Sequence, residues 1–253
     1  MDWNLFSKKK KNQSEAWNSR TMFGPNLNFA AMEAYKLLRT NIVFSFSDEG
    51  TGRAVGITSS VQSEGKSSTA CNVAYALSEA GHKVLLLEAD LRRPSVGSKL
   101  GVARTPGVTN LLISRGNYKE AIQQSQLAPK LDVLTSGDIP PNPSELLASN
   151  RMQQLMEQLK QDYDYIIVDL PPVTAVSDAL AVSKNLDGVV IVIRAGRSDQ
   201  HMLAETMRQL EMVNVSVLGF VYREDDSNSK KYSYRYSKKY YKYYNAYEKK
   251  KRS

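Results

Sequence analysis

The chain has 253 residues, 42% of them apolar, one cysteine and a formal net charge of +8. That is enough to bury one large core, and no apolar run approaches the roughly 20 residues of a membrane helix. Cys71 alone excludes an internal disulfide and suits a reducing compartment, while His82 and His201 make no metal-ligand cluster. The charge is unevenly placed. From Ser227 onward ten Lys/Arg face one acid, Glu248, so this tail carries +9 and the remainder about −1.

Residues 1–27 read as an irregular arm, with Gly24-Pro25 as a breaker and no apolar run after Lys8–Lys11 to suggest a secretory signal. Asn28 is placed to cap a helix running to about Phe46. Glu33, Lys36 and Arg39 recur every third residue along one side of that helix. Beyond Gly50-Thr51-Gly52, apolar strands are expected at 54–58, 83–89, 131–134, 165–169, 188–193 and 215–221. Helical patterns fall at 67–80, 144–160, 177–183 and 199–212. Continuously apolar strands separated by helices predict an α/β fold, a mostly parallel sheet with helices on both faces. The domain is expected to span 28–225, followed by a basic tail, 226–253, too poor in aliphatic residues to fold.

The first strand leads into Ser59-Ser60-Val61-Gln62-Ser63-Glu64-Gly65-Lys66-Ser67-Ser68 and then a helix. Strand, tight loop and helix N-terminus make a phosphate-binding loop, in which backbone N–H groups and the helix dipole hold phosphate oxygens. Lys66 is expected at the β- and γ-phosphates and Ser67 on Mg²⁺. Ser60 stands where the motif has its first glycine. The second strand ends in Glu88-Ala89-Asp90-Leu91-Arg92-Arg93-Pro94 and the fourth in Asp169-Leu170-Pro171-Pro172. Acids at strand ends beside a phosphate loop suit a magnesium nucleotide, because ligands of open parallel sheets sit at the carboxyl ends of the strands. No Asn/Thr-Lys-x-Asp sequence calls for guanine, so ATP is the expected nucleotide.

Together with Glu33–Asn41, Gly137-Asp138-Ile139-Pro140-Pro141-Asn142-Pro143-Ser144-Glu145-Leu146-Leu147 and a tyrosine cluster, these segments resemble the bacterial tyrosine kinases of capsule and exopolysaccharide assembly. The form resembled is the separate cytosolic kinase subunit. The cluster is Tyr232, Tyr234, Tyr236, Tyr240, Tyr241, Tyr243, Tyr244 and Tyr247. The resemblance implies a P-loop NTPase-like fold and ATP-dependent autophosphorylation of that cluster, in trans within an oligomer. It implies that Lys66, Glu88, Asp90 and Asp169 are catalytic, with Glu88 accepting the tyrosine proton and Ser67, Asp90 and Asp169 on Mg²⁺. Ser60, Gln62, Ser63, Glu64, Gly65, Ser68 and Arg223 would complete the nucleotide contacts. Glu33, Lys36 and Arg39 would meet a neighbouring subunit in a ring, an octamer being the candidate size.

Three positions depart from the family pattern. Glu88 replaces an aspartate, which moves the carboxylate by about 1.5 Å. Arg223 aligns with an asparagine near the adenine, and Lys36 with an arginine. The implied partners are a transmembrane activator of the polysaccharide co-polymerase type and a tyrosine phosphatase, with the chain cytoplasmic at the inner face of the membrane. The unmodified basic tail is expected to be drawn to an acidic cleft mouth or an anionic membrane, and phosphates, at about −1.5 to −2 each, would reverse that. Binding of nucleic acid by the tail is the less expected reading. Two alternatives remain: an inactive nucleotide-binding scaffold, and a dimerisation-switch ATPase like those of cell division and plasmid partition, which carry a lysine where this chain has Val61.

Overall fold

A computed structural model describes residues 23–46, 52–114 and 116–224. Helix α1 (Phe29–Phe44) begins where Asn28 accepts the Ala31 N–H at 2.9 Å. Then follow β1 (Arg53–Ser59), α2 (Lys66–Glu79), β2 (Val84–Glu88), α3 (Val96–Leu100), α4 (Val108–Ser114), α5 (Tyr118–Ala121), β3 (Gln123–Gln124) and β4 (Leu131–Leu134). The second half holds α6 (Pro143–Ala148), α7 (Asn150–Asp162), β5 (Tyr165–Asp169), α8 (Asp178–Ser183), β6 (Gly188–Arg194), α9 (Gln200–Met212) and β7 (Val217–Arg223).

The seven strands lie in the order β3-β4-β2-β5-β1-β6-β7. All neighbouring pairs are parallel except β3 with β4. The expected mostly parallel sheet with helices is therefore present. Strand alternation divides the core in two. Leu85 and Leu87 of β2 face the cluster containing Leu147, Met152, Met156, Leu159 and Leu210. Val84 and Leu86 face the cluster containing Ile42, Ala70, Cys71, Val73 and Leu77. Covering both faces is why β2 and β5 are buried at every position. No helix among the described residues is long and apolar enough to cross a membrane.

Four details differ from the sequence expectations. The helix expected over 144–160 is two, because Ser149 is extended (φ −69°, ψ 154°). Its N–H closes α6 on the Leu146 carbonyl, while its hydroxyl accepts the Met152 N–H and caps α7. The last strand begins at Val217, since the Val215 N–H is spent on the Leu210 carbonyl at the end of α9. Helices α3, α4 and α5 and the two-residue β3 were not expected. Residues 23–27, assigned to the arm, pack on the body: Phe23 is buried and the Gly24 N–H donates to Asn72 at 3.0 Å. The rest of the arm and the tyrosine cluster lie outside the described residues.

Candidate active site

Registers Ile57↔Asp169 and Glu88↔Asp169 bring the carboxyl ends of β1, β2 and β5 level. A cleft of about 280 Å³ opens there. Gln62, Ser63, Gly65, Lys66, Ser67 and Ser68 form one wall. Asp90, Arg92, Arg93, Lys99, Pro171 and Pro172 contribute to the rest. The loop turns through two left-handed residues, Ser63 (φ 65°) and Gly65 (φ 96°). The positive φ is what calls for glycine at position 65. A Cβ there would also lie 2.1 Å from Nη1 of Arg223, which donates to the Gly65 carbonyl at 3.0 Å.

Two loop residues expected at the phosphates face elsewhere. Ser60 is buried, accepts from Thr206 Oγ1 at 3.0 Å through its hydroxyl, and holds Thr174 Oγ1 with its carbonyl. Its backbone is not in the left-handed region, which among the described non-glycine residues only Ser63 and Asn214 occupy. Position 60 therefore does not need the motif's first glycine. Glu64 is buried as well, accepting the Val61 N–H and the Ser198 hydroxyl. Both residues shape the loop from behind.

The acids also divide. Asp90 lines the cleft, accepts from Lys66 Nζ at 3.1 Å and from the Arg93 N–H at 3.1 Å. Asp169 is fully buried, and among the described residues nothing but the adjacent Ser67 hydroxyl, which falls short of a well-formed hydrogen bond, approaches its carboxylate oxygens as a donor. Burial pushes its carboxyl up to about 7, against the opposing pull of the Lys66 charge. A buried carboxylate so poorly supplied with donors, next to the Ser67 hydroxyl, is a fit for a hard cation that takes oxygen ligands. The described residues contain no cluster of three His, Cys, Asp or Glu, so such an ion would complete its shell with hydroxyl, phosphate and water.

Because the folded value lies above that of a free carboxyl, about 4, the protonated form is favoured by folding. The stabilisation it confers is complete below about pH 4 and is lost as pH rises through 7. Asp169→Asn never carries that charge. Its melting temperature should rise above wild type progressively from about pH 4 to 7 and level off beyond, while phosphate chemistry is lost. A difference in melting temperature that is flat across this range would refute the burial argument.

Glu88 does not reach the cleft. It is fully buried at the end of β2, and its Oε1 accepts the backbone N–H groups of Ser95 and Val96, the latter at 2.6 Å. Its Oε2 accepts the Ser136 N–H at 3.1 Å. The expected proton acceptor is instead an anchor tying β2 to the start of α3 and the exit of β4. Nor do the described residues give the cleft the expected acidic mouth, since Lys66, Arg92, Arg93 and Lys99 outnumber Asp90 on its walls.

The matching family model, described as an AAA domain, covers residues 57–217. The tyrosine-protein kinase YwqD of Bacillus subtilis is 40% identical over 75% of this chain and 79% of its own length. The kinase domain of the Escherichia coli tyrosine kinase ETK superimposes with a TM-score of 0.73 at 33% identity, over 77% of this chain and 75% of that one. This chain belongs to the bacterial tyrosine kinases. The chimerical protein CapA2B2 is similar as well, at TM-score 0.72 and 31% identity over 81% of this chain and 89% of that one.

Several residues of the kinase site gave no separate signal in the sequence. Arg93 spans the cleft mouth to Gln62 Oε1 at 2.8 Å. Arg194 donates to the Ser63 carbonyl at 3.1 Å. A second groove of about 850 Å³ lies between α1 and β7, and Ser68 borders both it and the phosphate cleft. Asn28, Tyr35, Phe220 and Arg223 are on its walls, and Arg223 reaches the phosphate loop through its bond to the Gly65 carbonyl. The three residues expected at a subunit contact split within the chain: Lys36 pairs with Glu33 at 3.0 Å, whereas Arg39 Nη1 donates to the Ala76 carbonyl of α2 at 3.1 Å.

Proposed function

We propose that this tyrosine kinase transfers the γ-phosphoryl of ATP to its own C-terminal cluster, Tyr232 through Tyr247, between subunits of a ring. A transmembrane activator would promote the reaction and a phosphatase reverse it, controlling capsule or exopolysaccharide synthesis and export from the inner face of the membrane. Support comes from a cleft that combines Lys66, Ser67 and Asp90 at the strand ends, in a chain 40% identical to a named tyrosine kinase. The CapA2B2 chimera, whose name joins two components, is in keeping with a partnered kinase.

The residues have distinct tasks. Backbone N–H groups of 63–68 and the start of α2 bind phosphate oxygens, and Lys66 neutralises them. Ser67 and Asp169 would hold Mg²⁺, which supplies further charge neutralisation on the phosphates. Asp90 replaces Glu88 as the proton acceptor, being the one carboxylate on the cleft wall among the described residues. The Lys66–Asp90 pair adds a safeguard, since a polyphosphate that engages the ammonium releases the carboxylate for the phenol. The α1–β7 groove takes the adenosine, with Ser68 at the junction. Arg223→Ala removes the brace on the Gly65 carbonyl and should raise the KM for ATP about tenfold with a smaller effect on kcat; an unchanged KM would remove Arg223 from the nucleotide site.

The deciding experiment is mass spectrometry of the tail after incubation with Mg–ATP, with and without a cytosolic segment of a candidate membrane partner. Phosphate on Tyr232–Tyr247 supports the autokinase. ATP turnover with an unmodified tail would instead support a switch ATPase.

A further inference from the structure

Arg92 lines the phosphate cleft two residues beyond Asp90, and its side chain is 45% exposed. Its Nε and Nη2 grip one carboxylate side-on, donating to Asp178 Oδ2 at 2.8 Å and Oδ1 at 3.1 Å. Asp178, the first residue of α8, is fully buried. Its Oδ1 also accepts the hydroxyl of Ser144, which lies 3.0 Å from that of Ser177. Three segments distant in sequence thus meet at the Asp178 carboxylate: the β2 exit through Arg92, the Pro-Pro-Asn-Pro-Ser segment that opens α6 through Ser144, and the start of α8 itself.

Burying a carboxylate carries a desolvation penalty of several kcal/mol, and an apolar side chain would stabilise the fold as well. What the ion pair adds is position. With one edge of the fork occupied, Nη1 has no partner among the described residues, on a side chain that lines the cleft. The other cleft cations are held differently. Lys66 is paired with Asp90, Arg93 with Gln62, and Lys99 sits in the last turn of the short α3.

We propose that Arg92 is a catalytic residue that stabilises the transferred phosphoryl group, and that Asp178 and Ser144 are its positioning residues. In that step the bond from the γ-phosphorus to the ADP oxygen breaks and a bond to the tyrosine phenolic oxygen forms. The phenolic proton passes to Asp90. Negative charge on the equatorial oxygens meets a guanidinium already fixed in place, so little reorganisation is needed. The inference rests on the kinase reading above and assigns it an arginine supplied by the same chain.

The test compares Arg92→Lys, Asp178→Asn and Ser144→Ala with wild type in two assays. One is tail phosphorylation at varied ATP. The other is calorimetric affinity for Mg–ADP alone and for Mg–ADP with aluminium fluoride, a mimic of the phosphoryl in transit. Arg92→Lys keeps the charge but loses the fork, and should lower kcat about 10²- to 10³-fold with KM for ATP within about threefold. Affinity for the fluoride complex should fall by a similar factor while that for Mg–ADP is kept. Asp178→Asn should act in the same direction, and Ser144→Ala more weakly. Millimolar guanidinium should partly restore Arg92→Ala and leave Asp178→Asn unimproved. Equal losses for Mg–ADP and the fluoride complex would overturn the proposal, as would an unchanged kcat in Arg92→Lys. If Asp178→Asn fails to fold, the Arg92 and Ser144 variants decide. A wild-type chain that never phosphorylates tyrosine would sink the autokinase reading, yet the two calorimetric arms would still judge Arg92.

Discussion

Lys66→Met should abolish tail phosphorylation, a loss of at least about 10³-fold. Lys66 is the ammonium at the first turn of α2, nine-tenths buried, on the wall of the phosphate cleft. Two losses coincide in the variant. The phosphates lose their principal point charge, and Asp90, itself 6% exposed, keeps the Arg93 N–H as its hydrogen-bond donor among the described residues but loses its ion-pair partner. Repulsion between that Asp90 and the nucleotide then adds to the missing attraction. Mass spectrometry of the tail, with the melting temperature as a control for folding, measures the effect. A folded variant with full activity would show that the loop at 60–68 does not hold the reacting phosphates.

Glu88 should show the largest stability effect. Glu88→Ala strips the acceptor from the backbone N–H groups of Ser95, Val96 and Ser136 and leaves a void where a side chain was fully enclosed. Three unsatisfied donors at about 1–3 kcal/mol each put the loss at about 3 kcal/mol or more, or a fall in melting temperature of about 10 °C. Glu88→Asp keeps the charge but withdraws the carboxylate by about 1.5 Å, too far to serve both the α3 start and the β4 exit. It too should destabilise the kinase and lower its activity. Glu88→Gln keeps an oxygen for only some of the three N–H groups and sets its amide NH2 against another, so stability should fall here too. The pH–rate profile is what separates anchor from base. With Glu88 as an anchor the variant should leave the acid limb of that profile in place, whereas loss of the limb, or a gain of activity in Glu88→Asp at unchanged stability, would restore Glu88 as the proton acceptor.

The parallel sheet was readable because apolar runs such as Val84–Leu87 and Val189–Ile193 admit few other fates, and strand, loop and helix around Lys66 localise the phosphates. The tasks of individual acids were not readable. Glu88 and Asp90 look alike as strand-end carboxylates, and only the tertiary placement of Ser95, Val96 and Ser136 turns one inward. The Arg92–Asp178 pair spans 86 positions and has no local pattern. Two glutamines at Gln123–Gln124 have neither apolar alternation nor β-branching, so β3 follows from its neighbour β4 alone. The break at Ser149 did have a signal, a serine three residues before the start of an apolar helical face, which the continuous 144–160 periodicity outweighed.

The phosphate loop is held from behind by Thr174, Ser198 and Thr206 and gripped along its backbone by Arg194 and Arg223. Every one of these supports is synthesised more than 100 residues after the loop itself. On the ribosome, where chains emerge N-terminal end first, the loop is made early and completed late. A nucleotide bound as proposed would therefore confer its full stabilisation, which requires a formed site, only on a chain made through β7.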